Sequence, residues 1–258
     1  MAQRKATSLQ TPLLVCNWKM NPQSLREARA LASKIIRAAR YAPPASVLLA
    51  PPFPYVAPLH ALLKGQQSVA LAAQNSTAHE QRALTGEVSY GMLADMGVSR
   101  IIVGHSERRY IIGETDKTIN EKVALIHAHG MVPLLCVGET KKTTPAKALA
   151  FIEQQLVRDV VGFDKRAHFS IAYEPVWAIG GTKEVDPSYA AHVIKGIHAF
   201  CAHHFSSVPR VLYGGSVHCK NIDDFLYYKD IIDGFLIGSA SLRAQDMTII
   251  IKKIYGKR

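Results

Sequence analysis

The sequence predicts a single closed (β/α)8 barrel, eight parallel strands surrounded by helices, and three observations lead there. Eight short apolar runs recur over 258 residues, one per roughly 32 residues, which is the size of a βα repeat. The runs lack polar/apolar alternation, as expected of parallel strands covered on both faces. No linker or low-complexity segment interrupts the series, so one closed barrel is favoured over two smaller domains. An open doubly wound sheet is the competing arrangement, and no GxGxxG follows the first run to support it.

The first run is LLVCN (13–17), after which Asn21-Pro22 reads as a cap with proline at the first helical position. Leu25, Ala28, Ala32, Ile35 and Ala39 then recur at steps of three and four, the apolar stripe of a helix. VLLAP (47–51), VALAAQ (69–74), RIIVG (100–104) and VPLLCVG (132–138) supply the next four strands. Leu149, Ile152, Leu156 and Val160 mark the helix after the fifth, and FSIAYE (169–174) is the sixth strand. Asp186-Pro187 opens a helix carrying Tyr189, Val193, Ile197 and Phe200. RVLYGG (210–215) and GFLIG (234–238) complete the strands, and Met247, Ile250 and Ile254 mark a last helix. Residues 1–11 read as a loose tail and 12–258 as the barrel, a catalytic domain.

A chain that is 48% hydrophobic can bury a large core. Its net charge of +11 admits nucleic acid, a membrane surface or an anionic small substrate as partner. The basic residues are scattered, with no run longer than pairs such as Lys141-Lys142, so no nucleic-acid partner is expected. No stretch reaches the ~18 apolar residues of a membrane span, and the N-terminal segment has no apolar core of a signal peptide. Cys16, Cys136, Cys201 and Cys219 form no CxxC pair, which favours reduced thiols and a soluble cytoplasmic protein.

In a barrel of this kind the chemistry sits at the C-terminal ends of the strands. Five ends carry polar residues or glycine turns: Asn17 and Lys19 in CNWKMN, His105, Ser106 and Glu107 in VGHSERR, Glu174 in AYEPVW, then YGGSV and LIGSAS. Singly each has an ordinary reading: a satisfied histidine, a surface lysine, a capping acid, a plain turn. Together they fall on one face. Each glycine turn is expected to open a helix whose N–H groups hold a phosphate. Beside that phosphate Glu174 supplies a base, His105 and Asn17 supply donors, and Lys19 supplies fixed positive charge. The set suits proton abstraction next to a carbonyl through an enediolate. Neither HExxH nor CxxC is present to hold a metal. Another phosphosugar barrel enzyme, or a barrel kept only for binding, remains open on these residues alone.

CNWKMN, QN (74–75), LTGEVS (84–89), VGHSERR, GET (113–115), LLCVGET (134–140), AYEPVWAIG, YGGSV and FLIG stand in an order and spacing that resembles the triosephosphate isomerase family, from about residue 12 to 255. The resemblance implies interconversion of dihydroxyacetone phosphate and glyceraldehyde 3-phosphate, in glycolysis and gluconeogenesis, without a cofactor. It implies that Glu174 shuttles the proton and that His105 is a neutral electrophile at a short helix beginning near Ser106. Lys19 would stabilise the enediolate, with Asn17 holding it. Backbone groups at Gly180, Ser216, Gly238 and Ser239 would hold the phosphate under a lid hinged at Pro175-Val176-Trp177. It implies a homodimer in which the loop at about 75–87, with Thr85, reaches the partner's Asn17 and Lys19. Two departures stand out: Gly181-Thr182-Lys183 where the family commonly has Thr-Gly-Lys, with a changed lid rate expected, and Ser239 where a second glycine is usual.

Overall fold

A computed structural model describes residues 11–80, 83–164, 166, 168–180 and 184–256. The expected tail and the reordered hinge at 181–183 therefore lie outside the described residues, apart from Thr11. The strands are β1 (Leu13–Asn17), β2 (Val47–Ala50), β3 (Val69–Ala73), β4 (Val98–Val103), β5 (Val132–Val137), β6 (Ser170–Tyr173), β7 (Arg210–Tyr213) and β8 (Gly234–Ile237). They form a closed parallel barrel in sequence order. β1 closes it, pairing Leu14 with Val47 of β2 on one side and Leu13 with Gly234 of β8 on the other.

The absence of alternation has a direct cause in the packing. Leu13, Val15, Leu48, Ala50, Ala72, Ile102, Leu134, Cys136, Ala172, Leu212 and Leu236 fill the barrel interior. Their neighbours, such as Leu14, Cys16, Leu49 and Ile101, face outward into the layer shared with the helices. Side chains still alternate across each strand, but both faces are apolar because both are buried. At about 1.5–3 kcal/mol for each large side chain removed from water, the two layers dominate the folding free energy.

The helices are α1 (Leu25–Ala38), α2 (Phe53–Leu63), α3 (Tyr90–Asp95), α4 (Asp116–Ala128), α5 (Pro145–Asp159), α6 (Pro187–His204), α7 (Ile222–Leu226) and α8 (Ala244–Tyr255). Asp186 caps α6 ahead of Pro187, as the sequence suggests. Asn21-Pro22 does not cap α1. Ser24 does, its Oγ accepting from the Glu27 N–H at 3.3 Å. Ser24-Leu25-Arg26-Glu27 is a capping-box sequence, a stronger start signal than the proline.

The glycine turns also differ from expectation. α7 begins only at Ile222, well after YGGSV, and LIGSAS enters a 3-10 turn at Ser239–Leu242 before α8. Neither glycine turn is the first turn of an α-helix. Any anion there meets turn N–H groups with little macrodipole behind them.

Candidate active site

The five strand ends converge on a cavity of about 360 Å³ lined by Asn17, Lys19, His105, Glu174, Gly180, Ser216, Gly238 and Ser239, among others. Its volume suits a small ligand.

Lys19 is held in an unusual way. Its backbone has φ 53°, the left-handed region that a side chain with a Cβ enters only under constraint. The Asn17 Oδ1 accepts the Lys19 N–H at 3.0 Å. Gln74 Nε2 donates to the Lys19 carbonyl and to that of Ala50, both at 2.8 Å. The ammonium pairs with Glu107 Oε1 at 2.6 Å, tying the end of β1 to the end of β4.

His105 follows β4, and the chain is helical from Ser106, widening into a π turn over Arg108–Ile112. The Glu107 N–H donates to His105 Nδ1 at 3.3 Å. A ring that accepts at Nδ1 carries its proton on Nε2, and Nε2 lies 3.2 Å from Glu174 Oε1. Glu174 itself is 2% exposed. Its Oε2 accepts the Ser106 N–H at 3.0 Å, whereas Oε1 has no aligned donor despite its closeness to the imidazole. One oxygen is anchored by a backbone donor, and the other is turned toward the imidazole.

The base also has its space cleared by glycines. A Cβ at Gly138 would overlap the Glu174 carbonyl oxygen, and one at Gly214 would lie 2.9 Å from Glu174 Cγ. Gly214→Ala is expected to lower turnover at least tenfold by displacing this carboxylate, with the far-UV circular dichroism unchanged. Turnover within twofold of the parent would show that Glu174 has slack.

Two groups escape the reading of strand ends. Glu139, after β5, is 3% exposed and accepts from Trp177 Nε1 at 2.7 Å, Tyr173 Oη at 3.1 Å and Tyr189 Oη at 3.2 Å. Burial pushes its carboxyl above the usual range, partly offset by these donors. It pins the start of the 176–178 turn to the barrel. Gln74, after β3, is the other. Both follow apolar runs, so the rule that found the other residues would have found them had it been applied to every strand end. Thr85 is exposed and does not line its own chain's cavity.

Over residues 12–254 the sequence matches the family model described as triosephosphate isomerase. The chain belongs to the triosephosphate isomerase family. It is 41% identical over 249 residues to a protein named triosephosphate isomerase from Alcanivorax borkumensis, covering 93% of this chain and 97% of that one. It is 37% identical over 251 residues to one of the same name from Carboxydothermus hydrogenoformans, covering 95% and 99%. A third, from an Azoarcus species, is 39% identical over 246 residues, covering 94% and 98%. The family match spans all eight strands and both glycine turns, so it places the cavity within the matched region. Among the described residues no helix is long and apolar enough to cross a membrane.

Proposed function

We propose that the cavity interconverts dihydroxyacetone phosphate and glyceraldehyde 3-phosphate, with Glu174 as the base. The observation that carries this is the state of Glu174: buried, anchored through Oε2, with Oε1 3.2 Å from the His105 Nε2. Glu174 removes a proton from the substrate carbon next to the carbonyl. His105 donates from Nε2 to the carbonyl oxygen as the enediolate forms, and Lys19 and Asn17 stabilise the negative charge. The proton then returns to the neighbouring carbon while His105 recovers a proton from the other oxygen, which becomes the new carbonyl, so the reaction balances without a redox partner. The turns at Gly180, Ser216, Gly238 and Ser239 hold the phosphate, and closure of residues 175–180 over it excludes water.

The site argues against a Schiff-base aldolase. Lys19 is the one lysine among the described residues lining the cavity, and it sits in an ion pair at the mouth rather than deep among the apolar interior residues. The deciding measurement is isomerisation of glyceraldehyde 3-phosphate coupled to reduction of the ketone product. Activity is expected, and a folded protein with none would overturn the reading.

Ser239 puts a Cβ at a turn where the family usually has glycine. Ser239→Gly is expected to lower KM about two- to fivefold with kcat nearly unchanged. An unmoved KM would show that the serine does not weaken the phosphate grip.

The proposal includes a homodimer in the cytoplasm. Met20 is 83% exposed and Ile111 79%, with Tyr110, Ile112 and Leu84 also exposed. They occupy loops after β1, β3 and β4, on the same side as the cavity, as an apolar rim awaiting a second copy would. Sedimentation is expected to give about twice the chain's 28.3 kDa, and a monomer at micromolar concentration would exclude this assembly. All four cysteines are free, three of them buried, as suits a reducing compartment.

A further inference from the structure

We propose that the groove along the seam of α1 and α8, continuing to the residues that precede β1, binds single-stranded nucleic acid. The net charge of +11 is not explained by the described lining of the cavity, whose one lysine is already paired with Glu107. It is better explained where the ends of α1 and α8 meet. Lys34, Arg37 and Ala38 are spaced i, i+3, i+4 on α1, beside the stripe that enters the core, and Tyr41 follows in the turn after the helix. With Arg40 and with Lys252 of α8 they line a groove of about 750 Å³ that has no carboxylate side chain among the described residues.

The groove continues into a second lobe of about 1320 Å³, which shares Tyr41 and Lys252 and adds Lys229, Lys253 and Tyr227. Its one acid, Asp223, is neutralised by Lys253 at 2.6 Å. The scattered basic residues of the sequence are thus gathered by the fold, drawn from positions 34 to 253.

Helix dipoles account for part of this charge. Arg37 and Lys252 occupy the last turns of their helices, where a cation meets about half a negative charge. With Lys253 paired to Asp223, five cations remain, more than two such ends require, and the dipoles do not explain the tyrosines. Tyr41 is 77% exposed and Tyr227 82%, and both border the second lobe. The Arg40 guanidinium already lies 4.6 Å from the Tyr41 ring centre. Cations that track a phosphate backbone, alternating with exposed rings on which bases stack, are what a sequence-tolerant single-strand site requires. The combined groove also exceeds the roughly 300–1,000 Å³ of a small-molecule pocket. The chain's own first ten residues carry Arg4 and Lys5 and no acid, so charge disfavours them as the occupant.

The test is fluorescence anisotropy of a labelled single-stranded oligonucleotide of about 15 nucleotides, titrated with the full chain at low and moderate salt. Saturable binding is expected, with log affinity falling against log salt at a slope of about −0.7 per contacted phosphate. The triple variant Arg37→Glu, Arg40→Glu, Lys252→Glu should weaken binding at least tenfold, and Tyr41→Ala at least fivefold, the lower end of one lost base stack. Both variants should retain full isomerase activity, which reports that they fold. Absent binding at low salt, or binding untouched by the triple variant, overturns the site. Equal competition by inorganic polyphosphate, together with a silent Tyr41→Ala, overturns it as well, leaving a charged patch that reads no base.

Discussion

Glu174→Gln is expected to reduce turnover by at least the ~10²–10⁴ attributable to a general base, with little change in affinity for a phosphate-bearing inhibitor. The amide is nearly the same size and keeps one oxygen, which can still accept the Ser106 N–H that now anchors Oε2. The side chain should therefore stay in place, with the Gly138 and Gly214 clearances intact. What it loses is the ability to take a proton from carbon. Steady-state kinetics in the coupled assay and inhibitor titration by calorimetry separate the two effects. A fall in kcat with unchanged inhibitor affinity identifies the base. Turnover within threefold of the parent would move that role to another group.

Strand count, barrel closure and the convergence of the functional ends were legible in the sequence because burial on both faces leaves a mark in composition. LLVCN and VPLLCVG could hardly be anything but covered strands. The legibility stops where position depends on contacts distant in the chain. Nothing in CNWKMN announces that Lys19 has positive φ, because Asn17 holds only one side of that peptide and Gln74, 55 residues away, holds the other. The glycines of YGGSV read as a phosphate turn, yet Gly214 also keeps room for Glu174, which comes from a different strand. Asn21-Pro22 was misleading for the opposite reason. It is a strong local signal, but Ser24 and Glu27 offered a cap that satisfies an orphan helix N–H directly, and a satisfied donor outweighs a tolerated proline.

Arg109 illustrates a further role hidden in VGHSERR, and Arg109→Ala is expected to destabilise the protein by about 3–5 kcal/mol, the usual cost of leaving one member of a buried ion pair alone. The guanidinium is buried. Its Nε donates to the Gly104 carbonyl at 2.8 Å and its Nη2 to that of Cys136 at 3.0 Å, so one side chain ties the loop after β4 to β5. It also reaches both oxygens of the fully buried Asp159, at 3.3 and 2.5 Å. At roughly 2–4 °C per kcal/mol for a domain of about this size, Tm should fall on the order of 10 °C.

The pH dependence distinguishes this mechanism from simple loss of packing. Burial pushes the Asp159 carboxyl up to about 6 even though Arg109 pulls it down. A raised native value favours the folded state at low pH and withdraws that benefit as pH rises toward 6. Without Arg109 the native value rises further, so the variant keeps its proton where the parent has released it. The stability deficit should therefore be smaller at pH 6 than at pH 8, as read by denaturant unfolding at both. An equal deficit at the two values would mean that Arg109 acts through packing and its carbonyl contacts alone. Because Gly104 and Arg109 bracket His105, Ser106 and Glu107, the same variant should also loosen the loop that presents Nε2 and the anchoring N–H to Glu174. A loss of kcat that persists well below the lowered Tm would connect this buried pair to the geometry of the base.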